Sequence, residues 1–216
     1  SAGARGVRPE WARLLPEVLK PLGYRSYHSG KWHIDGLPLQ NGFDRAYTLD
    51  DHDRYFSPKL HTEDDKPLPP VAADAGYYST TAIADHSIKC LREHARQYSD
   101  RPFFQYLCFT SPHFPLHALP EDIAKYRDRY LDGWDAIRER RFARQRELGL
   151  VTSDLSPRHP EVAPKWNPSG RELGEKIGAG EVSRAVAWTD LTEEQRKFQA
   201  GKMAIHAAMV DRMDQN

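Results

Sequence analysis

The chain has 216 residues, enough for a domain with its own hydrophobic core. Lysine plus arginine and aspartate plus glutamate each number 31, so no net field steers the protein toward nucleic acid or an anionic membrane surface. Its 39% hydrophobic and 29% charged content is polar for a compact domain, which suits a piece whose burying partners lie elsewhere in a larger protein, and no apolar run approaches the roughly 18 residues of a transmembrane helix.

Ser1 to Glu10 reads as irregular. Pro16 suits the first turn of a short helix and Gly23 its C-terminal cap, with Leu15, Val18, Leu19 and Leu22 as an apolar stripe. Pro21 sits late in that helix and is expected to distort its last turn. Tyr24 to Tyr27 reads as a short strand. Gly30 permits a bend or a close backbone approach where the strand ends. If Lys31 and His33 remain extended, their side chains point the same way, because a strand repeats every two residues. An ammonium beside an imidazole makes sense around a tetrahedral oxyanion, to which both donate hydrogen bonds. The plainer reading is a solvated Lys31 and a His33 that caps the strand end.

Asn41 to Asp44 is a turn signal. Thr48 to Pro70 reads as a loop, with four prolines and the acidic pairs Asp50-Asp51 and Asp64-Asp65. His52, Lys59 and His61 in this loop are read as surface residues, with a place at a substrate entrance as the alternative. A helix capped by Ser79, Thr80 or Thr81 is expected to run to about Tyr98, burying Ile83, Ile88, Leu91, Ala95 and Tyr98. His86 and His94 on it are read as packed or solvated residues, and Cys90 as a small core residue. The only other cysteine is Cys108, so there is no disulfide framework and the compartment stays open.

Phe103 to Phe109 is almost continuously apolar, as expected of a strand buried on both faces of a parallel sheet. In open α/β sheets ligands bind beyond the carboxyl ends of the strands, and His113 falls there, held between Pro112 and Pro115. His117 lies further along the same loop, near the site. Helices are expected over residues 121–130 and 134–148. Arg138, Arg140, Arg141, Arg144 and Arg146 interleave with acidic residues and read as a solvated face rather than a nucleic-acid surface. Val151 to Gly180 reads as an irregular excursion. Thr192-Glu193-Glu194-Gln195 is a capping box opening a long final helix.

The run from Leu15 to His33, closing on Gly23-Tyr24 and then Gly30-Lys31-Trp32-His33, resembles the second signature of the type I sulfatases. Phe109 to His117, with Pro112-His113-Phe114-Pro115, resembles a later block of that family, and Met203 to Asn216 is similar to its following helix. The resemblance implies a partial alkaline-phosphatase-like α/β fold with a mostly parallel sheet flanked by helices. It further implies hydrolysis of a small-molecule or glycan sulfate ester, with Lys31 and His113 binding sulfate oxygens, His117 bordering the substrate, and Lys31, His33 and His113 catalytic. In this family a formylglycine attacks sulfur and Ca2+ binds the sulfate. Neither cysteine stands in the family's Cys-x-Pro-x-Arg signature, and Ser1 with Arg5 fails it at Gly3. The family's metal carboxylates are also not identifiable, and they belong to other parts of its chain than Asp50-Asp51 or Asp64-Asp65, which are read as solvated. Residues 1–216 are therefore expected to be an internal part of one catalytic domain, with no metal ligands of their own and inactive alone. The rival readings are a phosphodiesterase or phosphonate hydrolase of the same superfamily, a non-catalytic oxyanion-binding module, and, weakest, a basic-helix nucleic-acid binder.

Overall fold

The computed structural model describes residues 6–157, 168–184 and 186–216. Ser1, Gly3 and Arg5 lie outside the described residues, as does the middle of the Val151 to Gly180 stretch. The chain divides into two compact units, residues 1–117 with 210–216, and residues 118–209. Among the described residues no helix is long and apolar enough to cross a membrane.

The first unit is built on a five-stranded sheet flanked by helices. Helix α1 (Leu15–Leu19) leads through a 3-10 turn (Lys20–Leu22) that begins just before Pro21, and the turn closes on Gly23 at φ 87°. Strand β1 (Arg25–Gly30) is longer than the sequence suggests and lies between β2 (Arg45–Leu49) and β5 (Phe103–Cys108), parallel to both. Strands β3 (His61–Glu63) and β4 (Lys66–Pro67) add an antiparallel hairpin beyond β2. The order is β4-β3-β2-β1-β5. The sheet is therefore mixed: β2, β1 and β5 form a parallel half, as expected, and the β3–β4 hairpin adds two antiparallel strands at the other edge, so the parallel character holds only in part.

The hairpin occupies part of the stretch read as loop. Its turn is Asp64-Asp65, both left-handed at φ 49° and 62°, a conformation that short polar side chains tolerate. These carboxylates are not simply solvated. Asp64 pairs with Arg45 at 2.9 Å and accepts the Ala46 amide, while Asp65 accepts the Leu39 amide.

Helix α2 (Ser79–Gln97) packs a face that hydropathy alone does not pick out. Ile83, His86, Cys90 and His94 are buried, whereas Ile88 and Ala95 are exposed. The reason lies in β1, where Tyr27 and Ser29 point to one side of the strand. The Tyr27 hydroxyl lies 2.8 Å from His94 Nδ1, and Ser29 Oγ lies 2.7 Å from His86 Nδ1. A histidine given a partner can be buried on a helix as a leucine is. On the opposite side of β1, His28 is fully buried among Trp32, Phe43 and Tyr106.

Burial lowers both His28 and His86 to about 4. In the unfolded chain the same imidazoles titrate near 6.5 and take up a proton that the folded state refuses. Stability is thus fully present above pH 6.5 and is lost as pH falls toward 4, by up to roughly 3 kcal/mol for each residue. The urea midpoint, followed from pH 7 to pH 4, is expected to drop steeply across this window. A flat profile would contradict the burial of these two rings.

Two apolar surfaces expected to be covered are open. Leu15, Val18 and Leu22 of the α1 segment are 51%, 46% and 68% exposed. Strand β5 forms an edge of the sheet and exposes Phe103, Tyr106 and Leu107, so it is not buried on both faces.

In the second unit, α3 (Pro120–Ala124) ends earlier than expected, and α4 (Gly133–Glu147) follows after a run of turns. Gly133 sits where a Cβ would meet the Trp188 ring at 2.2 Å, and Trp134 stacks edge-on with Trp188. Arg138 bonds Ser156, Arg140 pairs with Asp132 and Arg144 with Glu147, as expected of a solvated helix face. Helix α5 (Gly170–Lys176) falls within the stretch read as irregular. Helix α6 (Glu193–Gln215) opens on the expected capping box: the Gln195 amide donates to Thr192 Oγ1, and the Thr192 amide donates to Gln195 Oε1.

Candidate active site

The site is the carboxyl edge of the three parallel strands. At the end of β1, Gly30 has φ 119°, and a Cβ there would sit 1.9 Å from the Cys108 carbonyl oxygen. The close approach anticipated for this glycine is therefore to β5. It lets the Lys31 amide donate to Cys108 O at 2.9 Å, so that Lys31 leaves the sheet tied to both strands. Trp32 is buried and anchors the next turn through Nε1–H to Gly36 O at 2.9 Å. His33 is exposed, with its carbonyl accepting the Gly6 amide.

Lys31 and His33 line one cavity of about 610 Å³, whose other walls are mostly apolar: Leu14, Pro16, Trp32, Phe43, Phe104 and Tyr106 among them. Among the described residues no carboxylate pairs with Lys31. A free ammonium at the mouth of an apolar cavity is available to an anionic ligand and is little screened by the cavity walls.

His113 is held by the loop after β5. Its amide donates to Thr110 O at 2.9 Å, and the buried Tyr55 hydroxyl lies 3.0 Å from the carbonyls of both Thr110 and His113. Burial pushes the Tyr55 hydroxyl up to about 12, so it remains a donor. The Nδ1 of His113 bonds the Phe114 carbonyl, which assigns the ring hydrogen to Nδ1 and leaves Nε2 for a ligand. His117, in contrast, packs its ring against Tyr55 and Phe56, and its carbonyl accepts the Tyr78 hydroxyl at 2.8 Å.

Of the three loop residues read as surface positions, with a substrate entrance as the alternative, His52 is the one that lies beside His113. Its ring meets that of His113 edge-on, 5.2 Å between centroids. It is held below its ordinary value by burial first, then by the charge of Lys31, with His113 acting the same way. Lys31, His52 and His113 thus come from the three loops that follow the three parallel strands. His61 and Lys59 do not join them. His61 is buried between the Tyr47 hydroxyl and Pro69 O, and Lys59 is exposed.

A mixed sheet with an ammonium and two imidazoles at the carboxyl ends of adjacent strands defines an α/β protein with its polar groups gathered where such folds bind ligands. The chain belongs to the sulfatase family, whose family model matches residues 3–215, within the alkaline-phosphatase-like type I group. It is 31% identical to an uncharacterized sulfatase of Schizosaccharomyces pombe over 99% of this chain and 38% of that protein. It is 28% identical to an arylsulfatase of Klebsiella aerogenes over 93% of this chain and 40% of that protein. The chain therefore spans about two fifths of the length of these relatives. A solved protein in complex with its substrate D-glucosamine-2-N,6-O-disulfate matches 97% of this chain and 46% of its own, with TM-score 0.56 and 17% identity, a likeness of fold.

The family's Ca2+ does not fit the residues present. Among the described residues no three His, Cys, Asp or Glu side chains lie together as a metal site, and the side chains gathered at the sheet edge are an ammonium and two imidazoles, with no carboxylate oxygen among them. Calcium needs six to eight oxygen ligands.

Proposed function

We propose that this chain carries the cationic half of a sulfuric ester hydrolase site, and that the nucleophile, the metal carboxylates and the remainder of one catalytic domain lie outside these residues. The observation that carries the reading is that Lys31 and His113 follow neighbouring parallel strands, joined across the Lys31 amide and the Cys108 carbonyl. In sulfuryl transfer negative charge grows on the leaving oxygen and shifts among the sulfate oxygens. Fixed donors aimed at those oxygens lower the barrier. The Lys31 ammonium serves as such a donor. In its imidazolium form His113 keeps Nδ1–H on the Phe114 carbonyl and directs Nε2–H at the sulfate; as the S–O bond breaks, that Nε2 proton passes to the departing alkoxide oxygen and leaves His113 neutral. His33 stands at the cavity wall as a second proton carrier, and His117, packed beneath the same loop, borders the substrate.

The substrate class is a sulfate monoester of an aryl alcohol or a sugar. The test is turnover of an aryl sulfate and its matched aryl phosphate by the full-length protein. The sulfate ester is expected to be the faster substrate, and the 216-residue polypeptide alone is expected to turn over neither. Preference for the phosphate would reassign the site to phosphate ester chemistry. Activity of the isolated polypeptide would show that the missing half is not missing.

A further inference from the structure

We propose that His52 is a third sulfate-contacting side chain, completing with Lys31 and His113 a triangle of donors around the ester's oxygens. The inference rests on the oxyanion reading above and extends it to a residue that no family motif marks here. The topology makes the case. Strand β1 lies between β2 and β5 and is parallel to both, so the loops leaving β2, β1 and β5 emerge on one edge of the sheet. His52 stands three residues beyond the end of β2, half-buried, with its ring edge-on to His113 at 5.2 Å. The backbone of Asp50 favours a proton on its ring.

The charges around His52 are unbalanced. Lys31 from the β1 loop and His113 from the β5 loop both oppose a proton on it. Within its own loop only Asp53 favours one electrostatically, and weakly. Among the described residues no carboxylate pairs with Lys31, and the two imidazoles are tied only to backbone groups, His113 to Phe114 and His52 to Asp50. A tetrahedral anion reverses this balance: its negative charge favours the imidazolium, and the imidazolium then donates to an oxygen that Lys31 and His113 leave free. Sulfate binding is therefore coupled to proton uptake at His52.

The test is a pH titration of the histidine Cε1–H resonances of the full-length protein, in inorganic sulfate and in sodium chloride of equal ionic strength. The His52 signal is assigned by its disappearance in His52→Ala. The His52 midpoint is expected to move up by about one pH unit in sulfate and to stay put in chloride. His52→Ala is expected to weaken sulfate binding about tenfold, and His52→Gln to keep part of it. A His52 midpoint indifferent to sulfate overturns the proposal, and His52→Gln supplies the assignment if His52→Ala folds poorly. If the protein hydrolyses no sulfate ester yet His52 responds, the hydrolase reading fails and this contact stands. If hydrolysis proceeds while His52 is silent, only this contact fails.

Discussion

Replacing Lys31 with alanine in the full-length protein is expected to lower kcat for an aryl sulfate by about 10²–10³-fold, the loss typical when one preorganised donor to developing negative charge is removed. The expectation follows from placement rather than from charge alone. The Lys31 backbone is bonded to β5 through the Cys108 carbonyl, and its side chain has no carboxylate partner among the described residues. Nothing structural therefore depends on the ammonium, and the folded state should survive its loss. Lys31→Arg keeps the charge but presents a planar fork in place of a compact ammonium, so it should recover only part of the rate. A Lys31→Ala enzyme with unchanged kcat would remove this residue from the oxyanion site.

Gly30→Ala is expected to be the most damaging small substitution in the sheet. The new methyl would lie 1.9 Å from the Cys108 carbonyl oxygen and 2.6 Å from its carbon, both backbone atoms that cannot swing aside. Strands β1 and β5 must separate locally, costing the Lys31–Cys108 hydrogen bond and adding strain at φ 119°. We expect a loss of about 4 kcal/mol, or roughly 10 °C in Tm for a chain of this size. Gly23→Ala supplies the control. Gly23 is also left-handed, at φ 87°, but nothing lies within 4 Å of an added Cβ. That change should cost only about 1 kcal/mol, the strain of the backbone conformation. Equal losses at the two glycines would show that the contact with β5 is not what requires Gly30.

Several features were legible because short-range chemistry dictates them. Gly30 announces a close approach, Gly23 a cap, and the Thr192 to Gln195 box a helix start, and each is found where local rules put it. The end of a strand followed by Pro112-His113 likewise marks a crevice position. What failed were inferences that need a partner from far along the chain. His52 sits between Asp51 and Asp53 and reads as part of a polar loop, since only the pairing of β1 with β2 and β5 brings it to His113. Hydropathy does not pick out the buried face of α2 because His86 and His94 count as polar until Ser29 and Tyr27 satisfy them. Strand β5 looked buried from its composition, yet it pairs on one side only, with β1.

The central claim is that Lys31 and His113 grip one and the same group. A double-mutant cycle on kcat/KM for an aryl sulfate, through Lys31→Ala, His113→Ala and both together, measures this directly. If they share the oxyanion, the double variant should be little slower than the worse single one. Losses that simply multiply would mean the two strand ends serve separate purposes, and the account of this site would be wrong.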